Sequence, residues 1–272
     1  MKKFWKSVGA LAIVTAAVFA PRLFEGSGNQ EPAVAAAAPD ALEIPASTPE
    51  GRIVTHDAYV SSYNTSTLIP DWVAYEITAE EAEGRRDRDG IEFRMDPSLK
   101  GCTQAMREDY YGSGWTKGHL MPAADAAFDG DAMEQTFYFT NICPQNEELN
   151  AGDWQYLEKR VRSWARSYGS VYVATGPIVG TGRYGKIGER NVTVPDAFYK
   201  ALLVRRSDGS YSSIAFVMGN DDGRYYLADC CMSVNRLEEI TGLDFFPALD
   251  DEYEDKVEGT VTLSDWGIKK KQ

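Results

Sequence analysis

The chain has 272 residues, of which 43% are hydrophobic, 12% aromatic and 25% charged, so it can build the packed core of one large or two small domains and is not disordered as a whole. A formal net charge of −13 argues against a broad basic binding surface and confines any contact with a polyanion to a local cleft. No G-x-S-x-G, H-E-x-x-H or C-x-x-C spacing occurs, which excludes the serine-esterase elbow, the zincin helix and the paired-cysteine zinc sites.

Residues 1–6 carry three lysines, and the following uncharged stretch to Ala20 is rich in Ala and Val. That stretch is shorter than the ~20 residues that span a bilayer. It predicts a signal peptide or an uncleaved N-terminal membrane anchor over residues 1–24, and hence an exported protein, periplasmic or extracellular. Residues 25–50 are dominated by Ala, Pro, Gly and acid and predict a flexible tether. The folded domain is expected over 51–266, with a short basic tail at 267–272.

Within the domain, Ile53–Tyr63 and Trp72–Ile77 are rich in Val, Tyr and Thr and predict strands, separated by a break at Pro70-Asp71. Asp129–Gln135 predicts a short helical turn and Thr136–Ile142 a buried strand. Trp154, Leu157, Val161, Trp164 and Ala165 recur at helical spacing, so Asn150–Tyr168 is expected to be a helix stopped by Gly169. Ser170–Val179 predicts a strand, Ala197–Arg206 and Tyr211–Met218 a hairpin, and Val234–Thr241 a helix closed by Gly242. The pattern is that of an α+β fold: a mostly antiparallel central sheet with flanking helices. If the chain is exported, one or two disulfides are expected among Cys102, Cys143, Cys230 and Cys231, with the pairing open.

Basic residues cluster locally, as Arg85, Arg86 and Arg88, as Arg94, Lys100, Arg107 and Lys117, and as Lys159, Arg160, Arg162 and Arg166. Much of the acid sits in the run from Asp250 to Asp255. Of the two histidines, His56 falls in a strand and is expected to be structural. His119 follows Lys117-Gly118, where a glycine lets phosphate or metal approach the backbone and a lysine can hold phosphate. Asn150 opens a helix, so it is either an N-cap or a ligand. Glu158 and Arg162 lie four apart and could simply pair on one helix face.

Taken together, the segments 117–123 (KGHLMPA), 139–145 (FTNICPQ) and 149–152 (LNAG) resemble the DNA/RNA non-specific endonuclease family. That family includes the secreted bacterial nuclease and the mitochondrial endonuclease G group, built around a ββα-metal motif. The likeness covers about Gly51 to Val261. It implies a metal-dependent endonuclease acting on DNA and RNA with little sequence preference. The family's catalytic histidine falls on His119 and its metal-binding asparagine on Asn150. Asn141 and Gln145 match amides that support the site. Glu158 matches a carboxylate that contacts water around the metal, and Arg162 a phosphate-binding arginine. The resemblance further implies Mg2+ or another divalent cation such as Mn2+, and a homodimer. The usual Asp-Arg-Gly-His reads Thr116-Lys117-Gly118-His119 here, so Lys117 keeps the charge without the bidentate fork and Thr116 lacks the carboxylate. That departure leaves a second reading open, a weakened nuclease fold that only binds nucleic acid or another partner.

Overall fold

A computed structural model describes residues 41–46 and 51–269. The expected signal or anchor, most of the tether and the end of the tail lie outside the described residues. Leu42 and Ile44 pack against a core cluster and the Ala46 amide donates to Asp244 O (2.8 Å), so this part of the expected tether is docked. No described helix is long and apolar enough to cross a membrane.

The expected strand Ile53–Tyr63 is a hairpin, with β1 at Arg52–Thr55 and β2 at Val60–Asn64. The chain reverses where the His56 amide bonds Tyr59 O (2.8 Å) and the Asp57 amide is taken by Gln135 Oε1, a turn with none of the usual glycine signals. Pro70 and Asp71 lie inside β3 (Ile69–Thr78) and do not precede it. The β2–β3 register steps over Asp71, from Ser62↔Trp72 to Tyr63↔Pro70, and this bulge absorbs a proline that has no N–H to give the ladder.

Next come β4 (Thr116–His119) and a short helix α1 (Gly130–Gln135), capped by the Asp129 carboxylate. The expected strand Thr136–Ile142 is buried but mostly not extended. A 3-10 turn occupies Phe139–Asn141, and β5 runs over Ile142–Gln145. The Asn141 side chain bonds Thr136 O, replacing a strand ladder with a side-chain clamp. A single turn at Glu147–Leu149 leads through wide turns at Asn150–Trp154, where Gly152 departs from helical angles, into α2 (Gln155–Tyr168). Gly169, at φ 93°, ends α2 as expected.

The rest follows as β6 (Ser170–Ile178), β7 (Lys186–Ile187), β8 (Val192–Thr193), β9 (Ala197–Arg205) and β10 (Tyr211–Gly219). The β9–β10 hairpin is the one the sequence predicts. After them come α3 (Leu227–Cys230), β11 (Cys231–Met232), α4 (Val234–Thr241) and α5 (Asp251–Glu258). Gly242 closes α4 in the left-handed conformation, as expected, while α5 forms in the acidic run. The four cysteines are free thiols, so the expected disulfides are not present; Cys143 is sealed in the core.

One antiparallel sheet in the order β1-β2-β3-β6-β9-β10-β11 organises the domain. Alternation along its strands splits the core in two. Val73, Tyr75, Ile77, Phe198, Leu202 and Val204 face α2, whose Leu157, Val161 and Trp164 cover them. Trp72, Ala74, Tyr199, Ala201 and Leu203 face the opposite layer, closed by Val234, Leu237, Phe245 and Phe246. The short β4–β5 ribbon stands apart from this sheet, next to the start of α2.

Candidate active site

β4 and β5 pair Thr116↔Gln145, Lys117↔Pro144, Gly118↔Cys143 and His119↔Ile142. A Cβ on Gly118 would meet Gln145 Oε1 at 2.1 Å, so glycine is required for the ribbon to close over the Gln145 side chain. His119 ends β4 against aromatic rings, Phe137 edge-on at 4.9 Å and Phe93 at 5.4 Å between centroids. Its Nε2 is buried with no protein partner. Burial, with the nearby Arg88 charge adding to it, holds the imidazole pKa down at about 3. His119 is therefore a neutral base over the physiological range.

Lys117 lies 5.4 Å from both the Phe93 and Tyr110 ring centroids, and partial burial followed by the charge of Arg107 lowers its pKa. Lys117 and His119 thus share Phe93. Arg88 acts on both His119 and Glu158, so part of the basic cluster seen in the sequence faces this site.

Asn150 is half-buried at the start of the wide turns, and its Nδ2 donates to Thr116 Oγ1 (3.1 Å). Thr116 spends its own proton on Gln145 O (2.9 Å). The hydroxyl can therefore only accept from Asn150, which fixes the Nδ2 end of the amide on Thr116 and leaves the Oδ1 lone pairs out of that bond. Thr116 thus supplies an oxygen acceptor to Asn150 at the position where the resemblance leads one to expect an aspartate. Asn150 is not an N-cap: Asn146 caps this helical stretch, its Oδ1 accepting from Glu148 and Leu149 amides.

Asn141 is committed elsewhere. Its side chain accepts from Met121 N (2.8 Å) and donates to Met121 O and Thr136 O (both 2.8 Å), pinning the backbone that follows His119. It is fully buried, with its amide committed to backbone groups. Gln145, by contrast, has both amide atoms buried without a protein partner beside Gly118.

Glu158 and Arg162 do not pair as their spacing allowed. Arg162 bonds Asp125 Oδ1 (2.5 Å), and Tyr75 donates to Asp125 Oδ2 (2.9 Å). Burial raises Glu158 well above the ordinary carboxylate range, with Lys200 opposing it and Asp125 reinforcing it. Asp125, Thr116 and Lys200 contact the candidate site residues or their segments and were not assigned from the sequence. Asp125 and Lys200 each interrupt an apolar run at a core position, a signal that was readable. His56 is structural, as expected: its Nε2 lies 2.9 Å from the buried Asp96 carboxylate, which also accepts from Thr140 Oγ1 (2.7 Å).

Among the described residues no group of three His, Cys, Asp or Glu side chains is placed to hold a metal. A hard cation that keeps most of its waters does not need one. The oriented Asn150 oxygen, the orphaned Gln145 amide and the orphaned His119 Nε2 fit a hydrated divalent ion and a reacting water.

Residues 38–252 match the DNA/RNA non-specific endonuclease family. The chain is 35% identical to human mitochondrial nuclease EXOG over 262 residues, covering 91% of this chain and 68% of that protein. It is 36% identical to the mouse protein over 221 residues, 76% of this chain and 60% of that one, so it spans under two thirds of the mouse relative's length. Human mitochondrial endonuclease G is 34% identical over 207 residues, covering 72% of this chain and 70% of that protein. A crystal structure of the EndoG/EndoGI complex superposes with a TM-score of 0.71 at 26% identity, covering 81% of this chain and 96% of that one. The expected export is contradicted by these relatives, since EXOG and endonuclease G are mitochondrial nucleases. With a family match over most of its length and a shared fold, the chain belongs to the DNA/RNA non-specific endonuclease family, whose members hydrolyse the phosphodiester bonds of nucleic acids.

Proposed function

We propose that the domain from residue 51 to 266, with 41–46 docked on it, is a divalent-cation-dependent endonuclease that cuts DNA and RNA with little sequence preference. One observation carries this reading. A single short strand, β4, holds a buried unpartnered base at one end and, at the other, the hydroxyl that orients Asn150. Asn150 Oδ1 is the protein ligand for Mg2+ or Mn2+. When bound, the cation offsets the charge that develops on the phosphate and the leaving oxygen. His119 Nε2 takes the proton of the attacking water, and Glu158 orients water near it. Lys117 and Arg88 neutralise the phosphate. All of these groups address phosphate or water and none reads a base edge, so they carry little sequence information. A local cluster of this kind also reconciles polyanion cleavage with an acidic chain, because turnover needs product release more than affinity. Arg162, locked to Asp125, braces the site and is not free to grip phosphate as a flexible arm. A homodimer belongs to the same reading by family resemblance.

Plasmid DNA and total RNA incubated with the purified protein test this directly. Both should be degraded with Mg2+ or Mn2+ and neither with EDTA; no cleavage with any divalent metal would favour a binding protein that keeps the shape alone. The role of Thr116 is separable. Thr116→Val removes the hydroxyl at nearly constant volume and is expected to raise the metal concentration for half-maximal cleavage about tenfold, as loss of roughly one hydrogen bond implies. Thr116→Ser should behave as the unaltered protein. An unchanged metal requirement in Thr116→Val would show that Asn150 is oriented by something else.

A further inference from the structure

Lys200 sits in mid-strand in β9, on the face it shares with Phe198 and Leu202, and is fully buried. A lysine there is costly unless its protons and charge are met. Its Nζ donates to Leu120 O (3.0 Å) and to Thr175 Oγ1 (3.2 Å) and lies 4.7 Å from the Trp154 ring centroid. Two of these contacts belong to the catalytic segments. Leu120 directly follows His119, and Trp154 closes the wide turns that begin at Asn150.

The charges around it complete the argument. From α2 come Glu158 and Arg162, from the turn after Pro122 comes Asp125, from β3 comes the Tyr75 hydroxyl, and Arg88 faces Glu158 from its loop. Arg162 is engaged by Asp125. The Lys200 ammonium is the largest influence opposing the burial of the Glu158 carboxyl, ahead of Arg162 and Arg88. In turn, burial lowers the Lys200 pKa, and Glu158 is first among the groups that oppose this.

We propose that Lys200 is a positioning residue of this site, tying the backbone after His119 to the turn that presents Asn150 and supplying the countercharge that keeps Glu158 functional. The inference rests on the nuclease reading, yet its first test does not depend on turnover. In Lys200→Met, which keeps the length and removes the charge, the side-chain carboxyl of Glu158, followed by 13C NMR against Glu158→Gln for assignment, should titrate at higher pH by about one unit or more. If Lys200→Met does not fold, the reciprocal measurement remains: the 15Nζ resonance of Lys200 should titrate at lower pH in Glu158→Gln than in the unaltered protein. Kinetically, Lys200→Met should lose about tenfold or more in kcat at neutral pH, with KM for DNA little changed and the acid limb of the pH profile moved upward. A Glu158 titration unaffected by Lys200→Met, or a Lys200 titration unaffected by Glu158→Gln, overturns the proposal even if the protein is an active nuclease. So does a loss of activity that merely follows the loss of folded protein with an unshifted pH profile. A changed titration in a protein that cuts nothing would sustain the coupling and sink the nuclease reading instead.

Discussion

His119→Ala is expected to lower kcat on DNA and RNA alike by about 10²–10⁴-fold, the range a positioned general base contributes, with KM little changed. No other described residue can inherit the task. His56 is held against Asp96, and Glu158 is buried among charges that it must balance. Raising the metal concentration should not restore the rate, because the cation cannot remove the proton that Nε2 accepts. The substitution also tests the burial of the imidazole. With its pKa held at about 3 against an ordinary 6.5, His119 takes up a proton in the unfolded chain before it does so in the native one. Its contribution is therefore neutral to stability above pH 6.5 and increasingly unfavourable as pH falls from 6.5 toward 3. The alanine variant leaves a cavity between Phe93 and Phe137 and should be less stable at neutral pH, but its urea midpoint should fall less steeply between pH 6.5 and 4. Parallel slopes would contradict a buried neutral imidazole, and retained kcat would exclude His119 as the base.

Asn150→Ala should be comparably damaging by a different route. The loss of the hydrogen bond to Thr116 is worth about 1 kcal/mol of stability, too little to unfold the domain. The loss of the amide oxygen removes the protein ligand proposed for the cation. Cleavage at millimolar Mg2+ is expected to fall by about 10²-fold or more, with partial recovery at higher metal, since a ligand defect is offset by mass action. That recovery separates the two variants: present for Asn150→Ala, absent for His119→Ala. Equal metal dependence in Asn150→Ala and the unaltered protein would move the cation elsewhere.

The candidate site is drawn from three segments read together: alone, Asn150 reads as an N-cap or a ligand and His119 as a histidine beside a glycine, and the family resemblance gives them their proposed roles. The α2 stripe from Trp154 to Ala165 and the β9–β10 hairpin were legible because amphipathic periods survive without tertiary context. The hairpin at His56–Tyr59 was not, since side-chain bonds such as Gln135 to Asp57 close it without turn residues. Pro70 misled for a related reason: a bulge tolerates it in a strand whose sequence alone argues for a break. Thr136–Asn141 was buried as expected but extended in name only, because the Asn141 amide satisfies the backbone that a ladder would have satisfied. The pairing of Arg162 with Asp125, and not with Glu158, depends on a turn brought in from 37 residues away, which no local spacing encodes. Lys200 is the instructive omission. An ammonium in the middle of an apolar strand is expensive, and that expense was visible before any fold was known.

The division of labour between Asn150 and His119 is tested most directly by calorimetric titration of Mn2+ into the unaltered protein, His119→Ala and Asn150→Ala. One ion per chain should bind to the first two with similar affinity, and binding to Asn150→Ala should be lost or weakened by at least about tenfold. Tight stoichiometric binding in Asn150→Ala, or its loss in His119→Ala, would contradict the assignment of metal to one residue and proton to the other.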